Sequence, residues 1–406
     1  MVKDISSKLN VSQTEAVLSC LCKIHCEHES ALELIWGPPG TGKTKTTATL
    51  LLTFLGMNYR TLTCAPTNAA ITEIASRVVK MAFEAEPDAL FCSLGNILLV
   101  GDKERLKVGS DIEDILLDYR IQKIAECLGP VTGWRHCFFS MINFFEDCVS
   151  QYHVLVENEI IREREQRNEC EIKEEGSRSK ATKPETREVK SFLEYVRERF
   201  VSTALPLRRC ISIFCTHMAK NYIPEECLKN MVSLIGLLDS FETMLCQKNV
   251  VSEALEESFV DEQSVLYYRR NECLLVLRTL QFSLGRLSLP DPRNYGSITE
   301  FCFQRASLIF CTASMSYKLH GVAMEPLTVL VIDEAAQLKE CESTIPLQLP
   351  GVKHAILVGD ECQLPAMVNS KVCGYYLVIY LVFLISVVNF TQFFLYKLKI
   401  YFCFLF

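Results

Sequence analysis

Leu32 to Leu55 reads LELIWGPPGTGKTKTTATLLLTFL, and the order of its parts decides the fold. A short apolar run has the length of a strand, a glycine-rich turn follows, and good helix formers continue to about Leu55. Within the turn, Gly37, Gly42, Lys43 and Thr44 complete the pattern G-x-x-x-x-G-K-[ST], directly after a strand and at the opening of a helix. Small residues there let backbone N–H groups turn inward round phosphate oxygens, and the helix N-terminus adds positive potential. Lys43 is placed to reach the outer phosphates and Thr44 to ligate Mg²⁺. A turn of purely structural purpose would not need the Lys-Thr pair. The nucleotide-binding stretch is taken as Gly37, Pro38, Pro39, Gly40, Thr41, Gly42, Lys43, Thr44 and Lys45.

Working outward, a second unit follows: the apolar run RTLTCA, a short loop PTN, then AAITEIASRVVKMAF with apolar residues at helical spacing. Much later, LTVLVID and HAILVG are compact runs of the length expected for fully buried strands. Strands alternating with helices predict an α/β fold with a parallel sheet covered on both faces. Between these pieces, residues 101–295 read as mostly helical, as in IEDILLDYRIQKIAECL and CLKNMVSLIGLLDSFETML, so the sheet domain is expected in two parts, 1–100 and 296–372. Inside the insertion, Glu157 to Glu188 carries ten acidic and eight basic residues with almost no apolar face. Mixed signs favour an exposed stalk helix plus a flexible GSRSKATKPE linker over a polybasic binding arm.

The chain of 406 residues has room for two or three domains, and its net charge of −7 supplies no overall basic field. Any nucleic-acid binding must come from a local track of donors. Twenty cysteines are scattered, and the polar start MVKDISSKLN is no signal peptide, so they are read as reduced thiols of an intracellular protein, nuclear or cytoplasmic. Cys20, Cys22, His25, Cys26 and His28 have metal-like content without paired C-x-x-C spacing; buried thiols on an amphipathic helix are the reading preferred to a zinc site.

A second constellation is VLVIDEAAQ. An apolar strand ending in Asp333-Glu334 sets one carboxylate beside the Mg²⁺ shell, making Asp333 with Thr44 the metal residues, and a second, Glu334, where it can take a proton from attacking water. A third, HAILVGDECQLPA, places Gly359, Asp360 and Gln363 after another buried strand, within reach of a γ-phosphate at the neighbouring strand ends. With CAPTNAAI, Cys64 to Ile71, and FCTAS, Phe310 to Ser314, these motifs resemble the first, RecA-like motor domain of superfamily 1 helicases, in the senataxin-like and nonsense-mediated-decay branch. The resemblance covers roughly residues 9 to 100 and 300 to 372.

The resemblance implies more than the residues do alone. It implies ATP and Mg²⁺ as ligands and single-stranded RNA or DNA as partner, with Lys43, Glu334 and Gln363 catalytic. Gln13, in LNVSQTEAV, matches the glutamine that reads the adenine edge, and Gln363 the residue that senses the γ-phosphate. Thr67, Asn68 and Thr312 match positions that hold the sugar-phosphate backbone of a single strand; loop and cap side chains satisfying nearby backbone are the lesser alternative. In such helicases the insertion carries accessory elements, and protein partners are expected there.

In the family pattern, a second RecA-like domain supplies arginines that stabilise charge on the transferring phosphate. Here the pattern stops after Ser370. Such arginines contribute about a thousand- to a hundred-thousand-fold in rate, so the chain is expected to bind ATP weakly and hydrolyse it slowly. From Gly374 to Phe406, 25 of 33 residues are Phe, Tyr, Leu, Ile or Val. Tyr375 to Val388 is short for a membrane span, which needs about 20 apolar residues. The tail 373–406 is expected to be translated noncoding sequence, outside the family fold; a membrane or interfacial segment and a packed core element are the alternatives. Rivals to the helicase reading are a catalytically silent nucleotide-binding interaction protein, a membrane-tethered protein, and a ring-forming remodeller, the last disfavoured by GDECQLP and CTAS.

Overall fold

A computed structural model describes residues 9–25, 30–86, 89–174, 190–247, 252–360 and 398–404. The chain divides into two compact units. The first takes in Met1–Ala125, Cys215–Tyr222 and Pro290–Phe406, and the second Glu126–Phe214 and Ile223–Leu289.

The first unit is a sheet of seven strands: β1 (Ser30–Trp36), β2 (Thr61–Ala65), β3 (Ile97–Leu99), β4 (Leu308–Thr312), β5 (Val329–Ile332), β6 (His354–Gly359) and β7 (Leu398–Phe404). Their spatial order is β3-β4-β2-β5-β6-β1-β7, and every pairing is parallel. β2, β4 and β5 are buried along their whole length, as continuous apolar runs covered on both faces must be. Helices α1 (Val11–His25), α2 (Lys43–Gly56) and α3 (Asn68–Ala85) supply cover. Leu50, Leu51 and Phe54 from α2 and Ile71, Ile74 and Val78 from α3 share one core with Phe310, Val331 and Ile356 of the sheet. Each such side chain, fully buried, stabilises the unit by roughly 1.5–3 kcal/mol.

Helix α2 is rich in threonine, an indifferent helix former, yet it closes. Thr46, Thr47, Thr49 and Thr53 each return the hydroxyl to the carbonyl four residues back, so no buried hydroxyl is left dry.

The parallel architecture follows the sequence reading, with three strands added, β3, β4 and, from the tail, β7. β3 and β4 were not read as strands, and they pair with each other from opposite sides of the insertion. The compact units also divide the chain elsewhere than 101–295. Short α4 (Lys103–Leu106) and most of α5 (Leu117–Leu128) lie with the sheet. The tie is Arg120, fully buried, whose guanidinium donates to the carbonyls of Gly95, Leu94 and Asp114 at 3.0, 2.9 and 3.1 Å. Cys215–Tyr222 joins the same unit through Leu94 N–H to Thr216 O at 3.0 Å and Lys220 N–H to Asn96 Oδ1 at 2.9 Å.

The second unit is helical: α6 (Trp134–Glu174), α7 (Phe192–His217, its last residues counted with the sheet), α8 (Glu225–Leu245), α9 (Ser252–Val260) and α10 (Val265–Gly285). Its core is aromatic, with Phe145 and Phe200 packed 5.1 and 5.3 Å from Phe241. The charged segment begins as helix, since α6 runs unbroken to Glu174; residues 175–189, the expected linker, lie outside the described residues. Beyond this unit the sheet unit resumes with α11 (Tyr295–Arg305) and α12 (Glu340–Leu347).

Of the tail, only Leu398–Phe404 is described, where it adds in parallel to the outer side of β1. Tyr375 to Val388 lies outside the described residues, as do Cys26 and His28 of the cysteine-histidine cluster. Cys20 on α1 is buried and Cys22 exposed. Among the described residues no helix is long and apolar enough to cross a membrane, and no group of three or more His, Cys, Asp or Glu could hold a metal.

Candidate functional site

The parallel order β2-β5-β6-β1 brings the C-terminal ends of four strands into a row, and each is followed by one of the sequence motifs. After Trp36 the backbone turns through Gly37–Gly42, with Gly40 at φ 81° and Gly42 at φ 82°, and α2 opens at Lys43. Gly42 is required by its backbone, and it leaves room for Gln13. Its left-handed backbone excludes most side chains, and a Cβ there would lie 2.6 Å from the Gln13 amide nitrogen. Thr41 closes the turn by donating Oγ1 to the Pro38 carbonyl at 2.8 Å. Lys43 is buried at 8% exposure, and its ammonium donates to the Gly37 and Pro38 carbonyls at 2.7 and 3.4 Å. Those contacts hold the ammonium inside the loop's curve, where a phosphate would compete for it. Pro39 and Gly40 are exposed, and Thr44 and Lys45 half-buried on the first turn of α2.

Asp333 stands just beyond β5, its N–H donating to Cys64 O of β2 at 2.9 Å. It is 4% exposed, and its Oδ1 is buried without a protein partner. Burial pushes its carboxyl up to about 7 and the charge of Glu334 adds to this, while a backbone hydrogen bond and the charge of Lys43 pull the other way. Lys43 and Asp333 therefore sit within electrostatic reach of each other. Glu334 has left-handed backbone at φ 50°, unusual for a residue with a side chain, and its Oε2 accepts from Gln337 Nε2 at 3.1 Å.

Gly359, ending β6, joins the two motifs. Its carbonyl accepts from Gly37 N–H at 3.4 Å, and a Cβ on it would come within 3.2 Å of the Ala336 nitrogen. A glycine is needed where the phosphate loop and the turn after β5 both approach the same backbone. Asp360 is buried, and Gln363 lies outside the described residues.

The orphaned Asp333 oxygen tests whether a divalent cation fits. A carboxylate buried without a partner costs energy unless a cation or proton meets it. Thr44 offers a hydroxyl at the head of α2, and a hard cation such as Mg²⁺ takes few protein ligands, filling its shell with phosphate oxygens and water. The donor set fits.

The residues expected to hold a single strand gather at the adjacent ends of β2 and β4, where Ala65 pairs with Thr312. Thr67 caps α3, its hydroxyl accepting from Ala70 N–H at 3.2 Å. Asn68 donates Nδ2 to Arg105 O at 3.1 Å, and Thr312 Oγ1 accepts from Met315 N–H at 3.4 Å and lies 3.3 Å from Ser314 Oγ. All three do serve local backbone. Thr67 and Asn68 also line an open cavity of about 610 Å³, together with Arg105 and Lys107.

Two features escaped the sequence. Gln13 is 7% exposed and donates Nε2 to the Thr41 carbonyl at 2.7 Å, while its Oε1 accepts from Asn10 N–H at 3.1 Å and its own N–H donates to Asn10 Oδ1 at 2.8 Å. This reciprocal cap starts α1 and ties it to the phosphate loop. Glu73, on α3, raises the Asp333 carboxyl through its charge and lines the cavity beside Asn68. As one acidic residue in an amphipathic helix it carries no sequence signal.

A family model described as AAA domain matches residues 8–371. The ATP-dependent helicase upf1 of Schizosaccharomyces pombe is 39% identical over 95 residues, covering 20% of this chain and 10% of that protein. The helicase sen1 of the same organism is 23% identical over 393 residues, 90% of this chain and 17% of the relative. A regulator of nonsense transcripts 1 homolog from Arabidopsis thaliana is 30% identical over 118 residues, 29% of this chain and 8% of the relative. The chain thus spans a small part of the length of the curated relatives it matches.

Proposed function

Because the chain belongs to the AAA domain family, in the Upf1/Sen1-like branch of superfamily 1 helicases, and is a helicase-type protein, we propose that its sheet unit binds Mg²⁺-ATP and links hydrolysis to a grip on single-stranded RNA or DNA. The observation that carries this reading is the buried Asp333 carboxylate, with an oxygen lacking a protein partner, within the field of Lys43. Lys43 and the N–H groups at the head of α2 hold the β- and γ-phosphates, and Thr44 and Asp333 hold the ion. Mg²⁺, when bound, neutralises charge on those phosphates. Glu334 accepts a proton from the attacking water. Gln363 senses the γ-phosphate.

Thr67, Asn68 and Thr312 hold the sugar-phosphate backbone, so binding is indifferent to sequence. Thr67 and Asn68 follow β2 directly, and Cys64 near the end of the same strand holds Asp333 N–H through its carbonyl, so the strand-binding residues and the metal carboxylate meet at the C-terminal end of β2. The place of action is nucleus or cytoplasm. Helices of the second unit are the surface offered to protein partners.

The test is Mg²⁺-dependent ATP turnover by the 406-residue chain with and without single-stranded RNA, alongside binding of a fluorescent ATP analogue. Nucleotide binding that depends on Lys43, with turnover that depends on Glu334, is the expected result. A chain that binds no nucleotide at millimolar concentration, or binds it equally well as Lys43→Ala, overturns the reading. Binding without turnover favours the silent nucleotide-binding alternative.

A further inference from the structure

Two cavities follow one another along the exposed side of α3. The first, about 610 Å³, begins at Thr67 and Asn68 and is walled by α4 and the turn beyond it. The second, about 360 Å³, continues to Glu84 and takes in Lys45 of the phosphate loop. They share Glu73 and Ser76, so together they form one groove that follows α3 almost from end to end.

The outer wall of the groove is fixed at two points. Asn68 Nδ2 donates to Arg105 O at 3.1 Å, and Ser76 Oγ donates to Asp111 Oδ2 at 2.6 Å. Between them Leu106 is buried, packed so closely on Gly101 that a Cβ there would lie 2.6 Å from Leu106 Cδ1. Its neighbours Arg105 and Lys107 are exposed and line the first cavity. Lys107 ends α4 in left-handed backbone, φ 51°, where glycine or asparagine is the usual choice. Farther along, Arg77 and Lys80, one turn apart on α3, are exposed and line the second cavity.

Among the described residues none of these four side chains makes a hydrogen bond or ion pair, whereas Lys103, also on α4, holds Glu113. Glu73, Glu84 and Asp111 share the lining, so the groove presents a row of separate cations and not a basic patch. A compact anion gains little from cations spread in this way; a chain with a charge on every unit can meet them in turn. A protein of net charge −7 needs such a row if it is to hold a polyanion at all.

We propose that a single strand held at Thr67 and Asn68 continues along α3, its phosphates meeting Arg105 and Lys107 first and Arg77 and Lys80 after them. The track rests on Thr67 and Asn68 being strand-holding residues and extends their grip by four contacts. From Asn68 to Lys80 it follows about 18 Å of helix, room for several nucleotides. The contacts are to phosphate, which RNA and DNA share, so the same four residues grip either strand without reading its sequence.

Fluorescence anisotropy of the full chain with oligouridine and oligothymidine of about four and about twelve residues, titrated across a range of salt, tests the track. Affinity is expected to fall with rising salt at a logarithmic slope of about −0.7 per phosphate neutralised. Arg105→Gln combined with Lys107→Asn, which suits the left-handed backbone, weakens both lengths about tenfold and makes the slope shallower by about 1.4. Arg77→Gln combined with Lys80→Gln does the same to the longer oligomers alone. Lys229→Gln, in the helical unit, changes neither and controls for net charge. All five positions are exposed, and thermal melting reports that the variants are folded. A parent chain that binds no oligomer overturns the strand-holding reading and the track with it. Parent binding whose slope is unchanged in both pairs, or a loss in the Arg77 and Lys80 pair that is equal at both lengths, overturns the track alone.

Discussion

Gln13 donates its amide Nε2 to the carbonyl of Thr41 across 2.7 Å, so the first helix of the chain is bonded to the middle of the phosphate loop. The other end of the same amide accepts from Asn10 N–H. Both ends are thus engaged with backbone, and the residue that the family resemblance assigns to adenine also positions the loop. Gln13→Ala is expected to weaken ATP and GTP alike by about tenfold, the worth of one buried hydrogen bond. Calorimetric titration with both nucleotides checks this. A loss confined to ATP would assign the residue to base reading alone.

Lys43→Ala is expected to weaken nucleotide binding by about 30- to 100-fold, since it removes a charge-assisted contact to phosphate. The loop should persist, because Thr41 is held through its hydroxyl to the Pro38 carbonyl and through its own carbonyl to Gln13, bonds that do not involve Lys43. Titration of a fluorescent ATP analogue, with thermal melting as the control for folding, reads both.

Glu334→Gln keeps the shape and removes the base. Turnover is expected to fall about 100- to 10,000-fold while nucleotide affinity stays within a few-fold of the parent. Single-turnover hydrolysis beside equilibrium binding separates the two quantities.

His217 makes the sheet unit acid-sensitive. It is 6% exposed, faces the Tyr119 ring at 6.1 Å, and its Nε2 lies 3.6 Å from Asp114 Oδ1. Burial first, and then the charge of Arg120, hold the imidazole down at about 3, so it is neutral and the contact with Asp114 is no ion pair at neutral pH. The folded state then binds fewer protons than the unfolded state between about pH 6.5 and 3, and stability falls as pH drops through that window. Burial also raises the Asp114 carboxyl, with Arg120 and Lys123 opposing, and that contribution is common to parent and variant. His217→Phe keeps a ring beside Tyr119 and abolishes the imidazole's share, roughly a few kcal/mol by pH 4. Melting curves from pH 8 to pH 4 should converge at the neutral end and separate progressively in acid.

Thr67→Ala and Asn68→Ala divide structural from ligand-holding roles. Thr67→Ala loses a helix cap and is expected to cost about 1 kcal/mol of stability. Asn68→Ala removes one exposed bond to Arg105 O and should leave the melting temperature nearly unchanged. Both should weaken single-stranded RNA about equally across unrelated sequences, as backbone contacts do. Fluorescence anisotropy with homopolymers and mixed sequence reads this; an unchanged affinity would assign both to capping alone.

Strands β1, β2, β5 and β6 were legible because each is a continuous apolar run between breakers. β3 was not, since three residues, Ile97–Leu99, fall short of any periodic signal. β4 was seen as the motif CTAS and not as a strand. The extent of the sheet unit depends on Arg120, and an arginine in an amphipathic helix reads as solvated. Only its acceptors, on Leu94, Gly95 and Asp114, make it a core residue, and no local pattern encodes them. The phosphate loop and Asp333-Glu334 were readable because their chemistry is packed into consecutive residues. The Gln13–Thr41 bond spans 28 positions, and the influence of Glu73 on Asp333 crosses from α3 to β5, so both needed coordinates.

The passage of the chain out of the sheet after β3 and back at β4 sets a timetable. Lys43 and Asp333 are 290 residues apart in sequence. At about 5–20 residues per second, translation delivers the acidic half of the site roughly 15 to 60 seconds after the basic half. Until Val329–Ile332 pairs with β2, β2 has no neighbour on that side, and a nascent chain carries the phosphate loop without the Asp333 carboxylate. Competence for nucleotide is therefore acquired late in biogenesis, after the helical unit has emerged.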